Sequence, residues 1–460
     1  MNNEQATQPA LPSNPPPLWR AFAKFLAPMI LANLLQGLSG TVNAFFIGQM
    51  LGTRALAAVA GVFPILFVIV SLMIGVGAGA SVLIGQAWGA REVHKVKSIA
   101  GTAIALGLLL GAVVAIFGGL YTEAMLRLLS TPPDVMEEAS RYARVMLLAT
   151  PGLLVFLLMT QLMRGTGDTV TPLLALMIST TVTCIVTPAF IRGWFGLPQL
   201  GVASGAAAAI ASFLCALLFL AIYMRIKKHP LAPDAELLRD IRVNPRLLKL
   251  VLKIGMPTAV QMIVISLSEV VLLKIINGFG SDATAAYGAV NQVVNYAQFP
   301  AISIAITASI LGAQAIGAGR TERLGEIVKT GLMLNVVLTG SLVLLGYIFS
   351  RHIVALFITS EPVIEMAQTL LHIMLWSIVM FGFAGVLGGI MRASGTVLVP
   401  TAISIFCIAV IELPAAYLLS SSFGLNGVWM AYPVTFGSML VLQAAYYRLV
   451  WRKKKIERMI

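Results

Sequence analysis

Long apolar segments separated by short polar ones make up the pattern along this chain. A helix needs about 20 apolar residues to cross the hydrocarbon core of a bilayer. Twelve segments meet that length, over residues 25–50, 56–87, 98–121, 140–163, 170–191, 200–224, 250–277, 284–315, 327–349, 365–391, 398–420 and 427–450. Strand-like alternation is absent, and in lipid a helix satisfies its own backbone hydrogen bonds. The pattern predicts an all-α polytopic membrane protein with twelve transmembrane helices.

The polar segments divide the chain into two halves of six helices each. Residues 1–24 are polar and Pro-rich and are predicted to form a disordered cytoplasmic tail. Residues 225–249 form the longest polar stretch and are predicted to link an N-lobe, residues 25–224, to a C-lobe, residues 250–451. Residues 452–460 are predicted to form a basic cytoplasmic tail.

Composition excludes a soluble protein and several classes of function. Only 11% of the 460 residues are charged and 58% are hydrophobic, whereas a soluble domain carries about 25% charged residues. The net charge of +13 is concentrated in loops and near the C-terminus, which indicates topology signals and contact with anionic lipids rather than nucleic acid. The three cysteines have no metal-ligand spacing, and no phosphate-binding loop occurs. We therefore expect neither an enzyme, nor an ATP-driven pump, nor a metal cofactor.

Lysine and arginine are distributed unevenly between alternate loops. If the N-terminus lies inside, 24 of these residues lie on the inside and 6 on the outside. The positive-inside rule then predicts that both termini face the cytoplasm.

The two halves of the chain resemble each other in sequence. IGQAWGA (84–90) matches GAQAIGA (312–318), and MRGTGDTVTP (163–172) matches MRASGTVLVP (391–400), both at an offset of 228 residues. Six spans separate equivalent points, so both halves cross the membrane in the same sense and form a parallel repeat. Two such lobes with a central cleft predict transport by alternating access.

Two of the 18 acidic residues lie well inside predicted spans, Glu269 and Glu412. An acid in hydrocarbon costs about 2.5–3.5 kcal/mol on insertion scales and is a functional-site hypothesis by default. Burial disfavours its charged form, which suits proton exchange, while additional oxygen ligands would suit Na⁺. Pro414 frees a carbonyl one turn earlier and predicts an irregular, polar stretch of helix at Glu412. Glu412 either takes part in coupling or only packs, and the sequence leaves both open.

Amides and a phenol inside the spans are candidate ligands. Asn291 and Asn295 share a helix face, since they are four residues apart, and with Gln292 and Tyr296 they are possible partners of an ion or a substrate. Asn33, Gln36, Asn43 and Gln261 are candidates for lining the substrate cavity, although such amides also bridge helices.

At these motifs the chain resembles the MATE family (multidrug and toxic compound extrusion) of the MOP superfamily, with the bacterial NorM-like and DinF-like members as the most similar branches. The resemblance is carried by Pro28 and Pro257, by VNAFFIGQMLGTRALAAVAG (42–61), and by the paired Q-x-x-G-A and M-R-x-x-G elements. It implies a V-shaped pair of lobes, export of organic, often cationic and amphipathic compounds, and coupling to H⁺ or Na⁺. SEVVLL matches the NorM-like helix 7, which implies that Glu269 binds the coupling cation.

The chain departs from the family at other acidic positions. It has Asn43 where many members have Asp in helix 1, Thr187 before Pro188 where DinF-like members have Asp, and no acid in the middle of helix 10. We expect H⁺ rather than Na⁺ as the coupling ion, because few fixed oxygen ligands accompany Glu269. A lipid-linked precursor flippase or a dedicated metabolite exporter of the same superfamily is the alternative function. The resemblance implies a bacterial inner-membrane protein, for which a monomer is expected.

Overall fold

A computed structural model describes residues 17–129 and 131–460. Within these ranges the chain is all-helical, and eleven helices are long and apolar enough to span a membrane, or twelve when one bent pair counts as a single span. We number these spans α1 (Leu18–Leu51), α2 (Thr53–Gly89), α3 (Val93–Leu128), α4 (Met136–Leu148 and Thr150–Thr166), α5 (Val170–Arg192), α6 (Ala203–Ile226), α7 (Pro245–Asn277), α8 (Ser281–Gly317), α9 (Thr321–Ile348), α10 (Glu361–Ala393), α11 (Leu398–Phe423) and α12 (Leu425–Leu449). The prediction of a twelve-helix membrane protein is confirmed.

Some predicted boundaries differ from those in the structure. Helix α1 begins at Leu18, so residues 18–24 of the predicted tail are helical, while residues 1–16 lie outside the described residues. The predicted linker, residues 225–249, contains a short helix, Ala235–Asp240, and its last five residues belong to α7. The Asn244 side chain accepts hydrogen bonds from two N–H groups of the first turn of α7, and Pro245 occupies the first helical position. This pair is a strong helix start, which length and hydropathy alone do not locate.

Two helices are distorted next to prolines. Helix α4 bends by 56° between its two segments, directly before Pro151. Helix α11 contains a π-helical turn, Cys407–Glu412, immediately before Leu413 and Pro414. Proline removes a backbone donor and its ring crowds the preceding turn, which explains both positions. The irregular stretch that the sequence predicted at Glu412 is thus confirmed.

The buried core divides in a way that gives the molecule its V shape. We call the end of the bundle that holds Leu18, Gly89, Gly317 and Leu449 the inner end, and the opposite end the outer end. Toward the inner end both lobes share one hydrophobic core, which runs across α2, α4, α8 and α10. Toward the outer end each lobe has its own core, with Leu147 in the N-lobe and Trp429 in the C-lobe. The lobes therefore join at the inner end and separate toward the outer end.

Repeated glutamines fasten the two lobes together at the inner end. Gln86 of the N-lobe donates to the carbonyl oxygen of Ala393 in the C-lobe at 2.8 Å. Gln314, its repeat equivalent, donates to the carbonyl oxygen of Gly165 in the N-lobe at 3.1 Å. Both acceptors belong to M-R-x-x-G elements, at equivalent positions of the repeat. The motifs that revealed the repeat thus form a reciprocal contact, which we call the glutamine exchange.

The basic segment 452–460 begins within a short 3-10 turn, Trp451–Lys453, and lies against the loops of both lobes. The indole N–H of Trp451 donates to Ser394 at 2.9 Å, and the backbone N–H of Met459 donates to the Gln86 side chain at 2.9 Å. Arg458 pairs with Glu92 in the loop between α2 and α3. Hydrogen bonds from Lys95 and Arg458 hold the pKa of Glu92 below its usual range. The segment therefore adds further contacts between the lobes at the inner end.

Candidate functional site

The structure surrounds Glu269 with hydroxyl groups in the outer half of the C-lobe. Glu269 lies on α7 and is half-buried. The hydroxyl of Tyr287, on α8, donates a hydrogen bond to one carboxylate oxygen. The hydroxyl of Tyr432, on α12, lies 3.4 Å from both oxygens. Two phenols thus satisfy the half-buried carboxylate with hydrogen bonds.

The second buried acid belongs to the same site. Glu412 ends the π-helical turn of α11 and is 5% exposed. Its Oε1 accepts a hydrogen bond from Ser268, the neighbour of Glu269 on α7, at 3.3 Å. This hydrogen bond places the Glu412 carboxylate against the residue next to Glu269. We call Glu269, Glu412, Ser268, Tyr287 and Tyr432 the carboxylate cluster.

Aromatic side chains close one side of the carboxylate cluster. Trp429 is fully buried, and its ring packs 5.2 Å from Tyr287 and 5.9 Å from Tyr432 between centroids. Phe436, one turn further along α12, packs on Tyr432. These rings lower the local dielectric, which strengthens every charge interaction within the cluster.

The cluster carries acidic groups without a basic partner. None of the ion pairs among residues 17–129 and 131–460 involves Glu269 or Glu412. Two neighbouring carboxylates in a low dielectric are costly when both are charged. A proton or a monovalent cation bound between them would relieve that repulsion. The arrangement is therefore suited to reversible binding of a small cation.

A second feature, which we call the inner cavity, lies between the lobes toward the inner end. Its volume is about 270 Å³, and it is lined from α2 and α4 of the N-lobe and from α7, α8, α10, α11 and α12 of the C-lobe. Its polar lining includes the side chains of Gln161, Gln261, Arg392 and Gln443 and several hydroxyl groups. The cavity is thus distinct in position and in charge from the carboxylate cluster.

Comparison with known protein families assigns the chain to one of them. The MatE family matches residues 28–189 and again residues 257–418. This chain belongs to the MATE family of transporters. Because the same family pattern matches each half once, the internal repeat predicted from the sequence is confirmed.

Individual relatives agree with this family assignment. The transporter is 42% identical to the probable multidrug resistance protein YoeA of Bacillus subtilis (strain 168), over 97% of this chain and 96% of that protein. It is 25% identical to the multidrug export protein MepA of Staphylococcus aureus (strain MSSA476), over 90% and 89% of the two chains.

Solved structures of the family share the fold. A mutant of the Vibrio cholerae MATE transporter VcmN superposes with a TM-score of 0.88 at 21% identity, over 95% of this chain and 98% of that one. A multidrug resistance MATE transporter described as outward-facing gives 0.86 at 21% identity, over 94% and 95%. The two-lobe fold of the MATE family is therefore this chain's fold.

The amides on α8 that were predicted as ligands form no hydrogen bond with either carboxylate in the part of the chain that the structure describes. They are Asn291, Gln292 and Asn295. Tyr287, one turn before Asn291, donates the hydrogen bond to Glu269 instead. Tyr296 packs edge-on against Phe299 at 5.7 Å, beside α1. The signal that could have indicated Tyr287 is its spacing of four residues from Asn291.

The four candidates for the substrate cavity occupy different places in this MATE transporter. Asn33 donates to Ser303 of the opposite lobe at 3.1 Å. Gln36 is exposed. Asn43 accepts from Thr187 at 3.4 Å within the N-lobe. Gln261 lines the inner cavity. Asn33 and Asn43 therefore bridge helices, which is the alternative role that such amides have in membrane proteins.

Proposed function

We propose that this MATE transporter is a secondary active exporter that exchanges organic, cationic or amphipathic drugs or toxic metabolites for an inward-moving cation. The observation that carries the proposal is the carboxylate cluster, in which one half-buried and one buried acid lie without a basic partner in the C-lobe of a family member. The names of YoeA and MepA support multidrug substrates. Cation binding at the cluster would favour one arrangement of the lobes and substrate the other, which is the requirement for coupled alternating access.

The chemistry of the cluster favours H⁺ over Na⁺ as the coupling ion. The hydroxyl of Tyr287 donates a hydrogen bond to Glu269, and the hydroxyl of Ser268 donates one to Glu412. The oxygens that accompany the carboxylates are three hydroxyl groups, each already hydrogen-bonded to a carboxylate. A metal cation needs several oxygens that are free to coordinate it. A proton needs only one carboxylate oxygen. No further cofactor enters this proposal.

The charge distribution supports an orientation in which the inner end faces the cytoplasm. Both termini and most lysine and arginine residues would then be cytoplasmic, as the positive-inside rule requires. The proposed location is the cytoplasmic membrane of a bacterium, with the transporter acting as a monomer. The lobes join at the inner end, so the cleft would open to the outside in this arrangement.

Efflux from proteoliposomes tests the proposal. We expect an imposed pH gradient to drive export of a fluorescent organic cation by the wild type, and an imposed Na⁺ gradient to have no effect. Glu269→Gln removes the ionisable group but keeps the size of the side chain, so gradient-driven export is expected to be abolished. Glu326→Gln, which changes an exposed acid on α9, is the matched control and should export like the wild type.

Three other outcomes would revise the proposal. Full coupling in Glu269→Gln would show that the carboxylate cluster does not couple cation movement to export. Export driven by an Na⁺ gradient alone would show that Na⁺, rather than H⁺, is the coupling ion. If neither gradient moves the dye through the wild type, multidrug export is wrong, and a dedicated substrate or a lipid-linked precursor becomes the better hypothesis.

A further inference from the structure

The inner cavity contains a positive charge without a negative partner. Arg392 is in the last turn of α10, and its side chain lines the cavity. Among the described residues it forms no ion pair, and no aspartate or glutamate is part of the cavity lining. The C-terminal end of a helix compensates a cation only partly. A guanidinium that lines a cavity between helices and has no acidic partner is costly, and a bound anionic group would compensate its charge.

The internal repeat shows what Arg392 lacks. Its equivalent in the N-lobe is Arg164, whose guanidinium donates to the Gln161 side chain at 3.1 Å. The position equivalent to Gln161 in the C-lobe is Gly389. A side chain there would overlap the backbone carbonyl of Ala305 on α8. The close packing of α8 and α10 thus leaves Arg392 without the partner that its equivalent has.

Two other polar atoms of the cavity are buried and have no partner among the described residues. They are the hydroxyl oxygen of Thr258 and Oε1 of Gln443, whose residues are 9% and 4% exposed. The amide nitrogen of Gln443 donates to Ser404 at 3.2 Å, so its oxygen is the free end, and it lies beside Gly388 in the cavity lining. Buried polar atoms without partners are rare, and each one calls for an explanation.

The other residues that line the inner cavity indicate which kind of ligand it can bind. Most of it is apolar, including Ile74, Met262, Ile302 and Phe381. A guanidinium presents a planar fork of donors that matches a carboxylate, and the Gln443 oxygen accepts from an N–H group. A volume of about 270 Å³ holds part of a drug-sized molecule but is small for a lipid-linked sugar pyrophosphate.

We propose that the inner cavity binds the carboxylate of amphipathic organic substrates that carry one, and that Arg392 is the residue that binds it. This inference rests on the proposed function and assigns a binding residue to it. In the proposed orientation the cavity lies toward the cytoplasm, the side from which export begins. The positive cavity and the negative carboxylate cluster would then separate substrate binding from cation binding in space.

A pair of dyes tests this inference. A rhodamine with a free carboxyl group is a zwitterion, and its methyl ester is a cation with the same ring system. We expect the purified wild-type transporter to bind the acid, as measured by fluorescence anisotropy. We also expect it to export the acid under a pH gradient. In Arg392→Gln, affinity for the acid is expected to fall about tenfold or more, because a charge-assisted bidentate contact is lost. Binding and export of the ester should not fall.

Control variants keep the test decisive if the main variant is misfolded. Arg448→Gln removes the same charge from the last turn of α12, at an exposed position outside the cavity, and should leave both dyes unaffected. Arg392→Lys keeps the charge and is expected to retain part of the affinity for the acid. Preserved ester export by Arg392→Gln shows that the variant is folded.

The possible failures are distinguishable. If the wild type exports neither dye, the proposed function fails. If the wild type exports both dyes and Arg392→Gln handles the acid like the wild type, the proposed function stands and the inference is overturned. An equal loss of acid and ester in Arg392→Gln, with Arg392→Lys restoring both equally, would also overturn it, since the charge would then serve structure rather than the carboxylate.

Discussion

At the residue scale, the carboxylate cluster explains how an acid is retained inside an apolar helix. Glu269 accepts from Tyr287, and Tyr432 lies within reach of both its oxygens. Hydrogen bonds to a charged group contribute about 1.5–3 kcal/mol each, which is comparable to the insertion cost of one acid. The carboxylate is thus tolerable when charged and equally able to take up a cation. This balance is what a reversible coupling site requires.

Tyr287→Phe is expected to alter coupling without abolishing it. The phenol hydroxyl stabilises the ionised carboxylate, so its removal favours the protonated form. The midpoint of pH-dependent export should therefore move to higher pH by about one unit, equivalent to about 1.4 kcal/mol. Export from proteoliposomes over a series of pH values measures the midpoint.

Tyr347→Phe is the matched control for this prediction. The Tyr347 hydroxyl donates to the carbonyl of His372 within the C-lobe and lies outside the cluster, so the midpoint should not move. An unchanged midpoint in Tyr287→Phe would mean that Glu269 is not the group whose titration limits export.

At the element scale, the linker between the lobes is docked on the N-lobe by charged groups. Asp234 caps the short helix Ala235–Asp240 by accepting from the N–H of Leu237. Lys97, on α3, pairs with both Asp234 and Glu236. Burial raises the pKa of Asp234, but the hydrogen bonds from Leu237 and Lys97 outweigh it and hold the pKa below its usual range. The linker is therefore a fixed part of the N-lobe rather than a free connection.

His229, near the start of the linker, makes the docking of the linker on the N-lobe sensitive to pH. Its ring lies 3.4 Å from the hydroxyl of Thr166 and 3.7 Å from the carboxylate of Asp168. Burial lowers the pKa of His229, and the charge of Asp168 opposes this only in part. The undocked linker then binds protons more readily than the docked one, so docking is strongest above pH about 6.5 and weakens as the pH falls.

Hydrogen exchange of the linker tests this pH dependence. After correction for intrinsic rates, the amides of residues 229–241 should exchange faster at pH about 5.5 than at about 7.5. His229→Gln removes the titrating group and should abolish the difference, while His94→Gln, at an exposed position of the inner end, should preserve it. Equal protection of the wild-type linker at both pH values would contradict the prediction.

At the scale of the whole molecule, the glutamine exchange determines which end of the V is joined. It connects α2 to the end of α10, and α8 to the end of α4. Glycines let the backbones approach there, since a Cβ at Gly89 would overlap the carbonyl of Gln314 and one at Gly317 that of Gln86. Opening the inner end must break both hydrogen bonds. The exchange thus stabilises the arrangement described here against its inward-open alternative.

Replacing both glutamines by alanine is expected to populate a state with a separated inner end. Each hydrogen bond contributes about 1 kcal/mol, so Gln86→Ala with Gln314→Ala should shift the equilibrium by roughly tenfold to thirtyfold. Spin labels on the exposed residues 91 and 320 of the inner-end loops report the separation by pulsed electron resonance.

Gln199→Ala is the control, because the Gln199 side chain donates to the carbonyl of Arg192 within one lobe, at the outer end. It should leave the distance distribution unchanged. If the double variant also keeps the wild-type distribution, the lobes are joined by apolar packing alone.

The sequence by itself determined the twelve spans, the parallel repeat and the two acids within the spans. Each of these follows from a one-dimensional property: the length of an apolar segment, a constant offset of 228 residues, or a charge inside hydrocarbon. The sequence predicted the helix boundaries less accurately, because a capping residue such as Asn244, rather than hydropathy, decides where a helix begins.

Only the tertiary structure decided which side chains meet. A transmembrane helix is apolar on all sides, so its pattern does not indicate which face turns inward. For that reason the sequence did not reveal that Glu269 and Glu412 share a site, or that Tyr287 rather than Asn291 donates to Glu269. The same applies to Arg392, because the close packing of α8 and α10 excludes a partner side chain at Gly389. Helix packing in three dimensions supplies that information.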